Sequence, residues 1–160
     1  MIDAQNRWAR RVFRAPIRLY RWDLAWLLGH RFLLLEHQGR RTGRRYETVL
    51  EVVKWDPMGE VVVVSGWGSA ADWYRNVTRG GDTHVTIDNR TFPATHRVVP
   101  HDESEQVLAE YEHRNRYVRP IVNAVLGYLV GWRYDGSPEA RGRLARQLPL
   151  VAFRRAQHVT

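Results

Sequence analysis

The sequence predicts an α+β domain, most economically a small barrel of consecutive antiparallel strands with helices before, between and after them. Three observations carry this. Apolar runs of strand length, separated by turn residues, fill residues 32–99. Helical spacing takes over from Asp102. A last apolar run, Leu148-Pro149-Leu150-Val151-Ala152-Phe153-Arg154, reads as a terminal strand returning to the sheet. At 160 residues, 44% hydrophobic and 26% charged, the chain can bury the core of one domain.

Residues 4–30 come first and read as a basic amphipathic helical segment. Arg7, Arg10, Arg11, Arg14, Arg18 and Arg21 interleave with Trp8, Val12, Leu19, Trp22 and Trp26, with Pro16 as an interruption. Two readings stay open: an interfacial helix touching an anionic membrane surface, or a helix packed on the domain with snorkelling arginines. The expected division is therefore 1–30 as this segment and 31–160 as the barrel domain.

Phe32-Leu33-Leu34-Leu35 opens the strands and leads to the turn Gly39-Arg40-Arg41-Thr42-Gly43-Arg44. Tyr46–Trp55 forms a second strand, and Asp56-Pro57-Met58-Gly59 is a turn by composition. Glu60–Ser65 carries four consecutive valines, as expected of a strand buried on both faces. Small residues break it at 66–71, and Asp72–Arg79 reads as a short helix with Asp72 near its N-cap and Gly80-Gly81 after it. His84–Asp88 and Thr91–Val99 flank Asn89-Arg90 as a tight hairpin. Then come three helices: Glu103–Arg114 with Val107, Leu108 and Tyr111 on one stripe, an apolar and buried Val118–Trp132, and an amphipathic Pro138–Gln147.

Composition excludes several chemistries. With no cysteine there is no disulfide, thiolate zinc site or cysteine nucleophile. Seven histidines, at 30, 37, 84, 96, 101, 113 and 158, show no HExxH or other ligand spacing, so no metal site is expected. There is no nucleophile elbow, and Lys54 follows no glycine loop, which rules out a Walker lysine. Gly66-Trp67-Gly68 lacks the third glycine of a dinucleotide fingerprint. The longest uncharged stretch, Pro120–Trp132, is too short to span a bilayer, and no secretory signal is evident, so a cytoplasmic protein is expected, with peripheral contact at the inner face of the cell membrane left open by residues 4–30. The net charge of +8 points to a polyanionic partner. It is discounted because Lys54 is the only lysine, and an arginine bias of that kind follows GC-rich codons.

Two clusters carry candidate chemistry. The backbone N–H groups and guanidinium forks of residues 39–44, Arg44 included, can wrap a phosphate, although a solvated hairpin turn would look the same. Ser65-Gly66-Trp67-Gly68-Ser69 ends a strand with glycine N–H groups uncovered, suited to the carbonyl edge of a flat heterocycle. Trp67, Trp73 and Tyr74 offer flat apolar surface beside it; the alternative is a loop with Trp73 in the core. Among the late tyrosines, Tyr111, Tyr117, Tyr128 and Tyr134, a phenol near a hydride acceptor can donate a proton, or the rings can simply pack.

Taken in order, the Leu33–Leu35 strand, Gly39-Arg40-Arg41-Thr42-Gly43, Leu50, the valine strand, the small-residue loop, Trp73-Tyr74-x-Asn76 and Leu148-Pro149-Leu150-Val151 resemble the actinobacterial deazaflavin-dependent nitroreductase family. That family uses coenzyme F420 on a split β-barrel like that of pyridoxamine-phosphate oxidases, the FMN-binding type. The resemblance covers residues 30–154. It implies that Arg40, Arg41, Thr42 and Gly43 hold the cofactor's phosphate and acidic tail. It implies further that Ser65, Gly66, Trp67 and Gly68 meet the deazaflavin ring, that Val49 and Leu50 line the ring pocket, and that Trp73 and Asn76 belong to the following helix, with Asn76 fixing the loop. The family turn often carries Lys where this chain has Arg41. The implied reaction is hydride transfer from reduced F420 to a quinone, enone or nitro compound, with Tyr117 and Tyr128 as candidate proton donors. Two competing expectations are a split barrel binding FMN or haem, and an Arg-rich nucleic-acid-binding domain whose Trp and Tyr stack on bases, the latter less favoured.

Overall fold

The computed structural model describes residues 30–56 and 59–157. The segment expected over 4–30 lies outside the described residues, apart from His30. Six strands close into an antiparallel barrel: β1 (Phe32–Gln38), β2 (Arg45–Trp55), β3 (Val61–Val64), β4 (Thr83–Ile87), β5 (Arg90–Val98) and β6 (Leu150–Arg155), in the order β1-β2-β3-β6-β5-β4. Pairing of β4 with β1 completes the ring. Among the described residues four α-helices accompany it: α1 (Asp72–Thr78), α2 (His101–Arg114), α3 (Arg119–Val130) and α4 (Pro138–Gln147).

The period of two along each strand divides the apolar residues between two cores. Leu33, Leu35, Leu50, Val61, Val63, Val85, Ile87, Val151 and Phe153 form the barrel interior, joined by Trp73 and Val77 of α1. The outward residues Val53, Val62, Leu150 and Ala152 pack beneath α2, α3 and α4. The four consecutive valines of β3 therefore serve both cores, as a strand covered on both faces must. A bulge in β2 between Val52 and Lys54 sets Val53 and Lys54 on the same outer side, where Lys54 reaches Glu110 of α2 at 3.2 Å.

Two local expectations shift. The β4–β5 turn centres on Asp88-Asn89, not Asn89-Arg90; both have positive φ (50° and 56°), the geometry of a type I′ hairpin. The N-cap of α1 is Ala71, and Asp72 is the first helical residue, its carboxylate turned to Arg40 instead of capping. A third expectation, that the 118–132 helix is buried, is only half met: Val122, Leu126 and Val130 are buried, whereas Ile121, Val125 and Tyr128 face water. Among the described residues no helix is long and apolar enough to cross a membrane.

Candidate functional site

The β1–β2 turn is built to stand rigidly at the mouth of the barrel. Gly39 N–H donates to Arg44 O at 2.7 Å and Gly43 N–H to Gly39 O at 2.9 Å. Gly43 has φ +66°, the left-handed conformation that favours glycine. At Gly39 the reason is space: a Cβ there would stand 2.6 Å from Tyr46 Cε2, because the tyrosine ring lies against the backbone. Thr42 Oγ1 accepts from Arg44 N–H at 3.3 Å and lies 3.3 Å from the Tyr46 hydroxyl.

Helix α1 clamps this turn. Asn76, 5% exposed, accepts at Oδ1 from both Arg40 N–H (3.1 Å) and the Arg40 guanidinium (2.8 Å). The same guanidinium reaches Asp72 Oδ1 at 3.2 Å. With Oδ1 fixed as an acceptor, the Asn76 amide must donate through Nδ2, and its partner at 3.1 Å is Nδ1 of the buried His37. His37 is therefore the neutral Nε2–H tautomer. Its pKa is lowered to about 4, first by burial, with Asp72 opposing weakly. Tyr46 stacks on it at 6.0 Å between ring centroids.

A cleft of about 350 Å³ opens between the turn, β2 and α1, lined by His37, Gly39–Thr42, Tyr46–Thr48, Asp72, Trp73 and Asn76. The turn's N–H groups at Gly39, Arg40, Gly43 and Arg44 are spent on bonds inside the protein, and those of Arg41 and Thr42, at the tip, take no part in them. The Arg41 side chain is exposed and makes no hydrogen bond or ion pair among the described residues. Chemically the cleft offers one uncommitted guanidinium, two tip amides and the half-exposed ring of Tyr46, which suits an anion attached to a planar group; Trp73, 6% exposed, borders it from within the barrel core.

The expected site residues divide accordingly. Arg40, Arg41, Thr42, Trp73 and Asn76 come together around the cleft. Gly43 shapes the turn, and Arg44 is exposed beside it. Val49 and Leu50, as strand neighbours, face opposite ways: Leu50 enters the barrel interior and Val49 shares the outer face with Leu34. Neither lines this cleft. Ser65 to Gly68 sits beyond the N-terminal end of α1, off the cleft. Ser65 is fully buried, its hydroxyl donating to Gly68 O at 2.7 Å and its N–H to Pro149 O. Gly68 N–H closes a turn onto Ser65 O, so the expected row of uncovered glycine donors is partly consumed. Gly66 faces Leu129 of α3, and Trp67 is half exposed.

Tyr117 and Tyr128 are both largely exposed and sit toward opposite ends of the α3 region, about 17 Å apart at helical rise. Neither lines the cleft; Tyr128 precedes Leu129, whose side chain faces Gly66. Tyr111 and Tyr134 are buried donors to Glu51 and Glu112, with hydroxyl pKa values raised by burial and by those carboxylates, so their role is packing. The cleft residues absent from the expected set are His37, Tyr46, Glu47, Thr48 and Asp72. The strand period offers the one signal for them: His37 shares a face with Leu33 and Leu35, and Tyr46 is its cross-strand partner.

Closed barrel, helical layer and cationic turn together define a split β-barrel protein. Solved structures agree on the fold. The haem storage protein HutZ of Vibrio cholerae matches with a TM-score of 0.51 at 15% identity, over 80% of this chain and 83% of that one. A Listeria innocua protein provisionally named a pyridoxamine 5'-phosphate oxidase matches at 0.50 and 12% identity, over 87% and 94%. The family is fixed by sequence: the model of the F420H(2)-dependent quinone reductases matches residues 20–120, and the chain belongs to that family. A Mycobacterium tuberculosis (strain ATCC 25618 / H37Rv) protein provisionally named an F420H(2)-dependent quinone reductase is 36% identical over 73 residues, 44% of this chain. The match spans 60% of that relative's length.

Proposed function

We propose that the protein is an F420H2-dependent oxidoreductase that reduces a small electrophile, a quinone before an enone or nitro compound. Family membership supports the activity, and one observation carries the site: Arg41 stands uncommitted at the tip of a turn whose other arginine, Arg40, is neutralised by Asp72 and held by Asn76. The residues fit the cofactor. Arg41 and the tip amides of Arg41 and Thr42 would hold its phosphate and acidic tail, with Arg44 and the wider positive charge adding attraction at longer range. Gly43 permits the turn, and Arg40 and Asn76 position it without binding the anion themselves. Tyr46 would shield the planar part from water. When bound, reduced deazaflavin supplies the hydride.

The test is titration of the protein with oxidised and reduced F420, followed by ligand fluorescence, with FMN in parallel. F420 is expected to bind in preference, and Arg41→Ala to weaken it ten- to hundredfold, the worth of a charge-assisted pair. Preference for FMN, or no weakening in Arg41→Ala, overturns the assignment. A nucleic-acid role predicts instead steeply salt-dependent DNA or RNA binding.

The proposal extends to a cytoplasmic protein in peripheral contact with an anionic membrane surface through residues 4–30, supported by their alternation of Arg with Trp and Leu. Trp22→Ser with Trp26→Ser in the full chain should weaken binding to anionic vesicles.

A further inference from the structure

Helix α3 lacks the polar face that a water-facing helix needs. Its buried stripe, Val122, Leu126 and Val130, is seated on the outer core. The opposite side is Pro120, Ile121, Ala124, Val125 and Tyr128, with Ile121 65%, Val125 52% and Tyr128 66% exposed. The other two helices of the same layer obey the rule: α2 turns Asp102, Gln106 and Glu110 outward, and α4 turns Glu139, Arg143 and Arg146 outward. An apolar helix face next to two ordinary amphipathic ones marks a surface that something covers.

The surroundings say what covers it. Arg116 and Arg119 stand at the start of the face and Arg133 just past its end, all exposed. Arg116 lies 4.5 Å over the Tyr117 ring and donates to its hydroxyl at 3.0 Å, an aromatic-cation pair at the rim. Trp67, on the loop that touches Leu129, is 49% exposed. Aliphatic centre, aromatic edge and arginine rim are the composition of an interfacial membrane contact. A second copy docking by this face would bring arginines against arginines, whereas an anionic headgroup layer meets each of them with opposite charge. The face is a convex helix side, suited to a fluid surface.

We propose that the exposed face of α3, with Tyr117 and Trp67 at its edge and Arg116, Arg119 and Arg133 around it, docks onto an anionic phospholipid bilayer. The inference rests on the membrane-contact part of the proposed function and is independent of its cofactor part. It adds a second contact to the one proposed for the N-terminal segment, which joins the domain at His30, a residue lining one pocket with Tyr111, Arg114 and Asn115 just ahead of the α3 region.

The test is flotation of the full-length protein with vesicles of phosphatidylcholine alone and of phosphatidylcholine mixed with phosphatidylglycerol. Wild type should bind the mixed vesicles and not the neutral ones. Ile121→Asp with Val125→Asp should cut that binding by about tenfold or more, since two insertions are lost and two anions gained. The variant's thermal midpoint and F420 titration should be unchanged. Arg116→Gln with Arg119→Gln, outside the apolar stripe, should weaken binding severalfold and flatten its salt dependence. Wild-type binding by the Asp pair, equal binding to both vesicle types, or a wild-type dimer that the Asp pair dissociates in sedimentation each overturns the proposal. Loss of F420 binding with vesicle binding retained would count against the cofactor assignment alone.

Discussion

Protonating His37 would set an N–H against the Asn76 amide N–H2. Turning the amide over to relieve the clash would break both bonds that Oδ1 accepts from Arg40. Neutrality of one buried imidazole therefore holds the register of the turn above it. The folded pKa of about 4 lies below the unfolded value of 6.5, so between them the unfolded chain binds the proton and the native one does not. The contribution is fully present above pH 6.5 and is lost as pH falls toward 4, on the order of 3 kcal/mol in total. Urea denaturation across this range should show that loss in wild type and its absence in His37→Gln. Glu60 and Glu103, whose carboxyls Arg97 holds below the usual range, add an acid loss only below about pH 4.5. The two arginines of the turn should separate as well. Asn76→Ala, which frees Arg40, should weaken F420 binding by disordering the turn, whereas Arg41→Ala should weaken it with the fold intact. Thermal melts read beside the titration distinguish them.

A turn, a helix and a strand pair make the cleft, and each was legible to a different depth. The Gly-Arg-Arg-Thr-Gly pattern marks a turn at sight, because glycine at a left-handed position is a local requirement. Gly39 is different: its constraint is the Tyr46 ring lying over it, a contact from the facing strand. Gly39→Ala should force that ring aside, costing about 1–3 kcal/mol in denaturant stability and weakening cofactor binding. Gly43→Ala strains the backbone instead, with a cost of about 1 kcal/mol. The division of labour between Arg40 and Arg41 was not legible. Adjacent arginines are equivalent in sequence, and only the arrival of Asp72 and Asn76 on α1 makes one a strut and leaves the other uncommitted. The same holds for Val49 and Leu50, which the pleat sends to opposite faces once register is set.

At the level of the whole molecule, two apolar cores share the strands, and the last strand belongs to both. Phe153 fills the barrel interior while Leu150 and Ala152 meet the helices, so β6 ties the end of the chain to everything before it. Phe153→Ala should cost about 3–5 kcal/mol, a large part of a small domain's stability, read as a lowered denaturant midpoint in a single transition. The sequence by itself determined the α+β class, the strand and helix order, the turn and the resemblance to F420-dependent enzymes, since periodicity, glycine placement and short motifs are properties of neighbours along the chain. Only the tertiary structure decided that His37 and Asp72 belong to the cleft, that Ser65 spends its hydroxyl internally, and that α3 shows water an apolar face. Those facts depend on which residues distant in sequence share one space, and barrel closure sets that through the register of every strand pair at once.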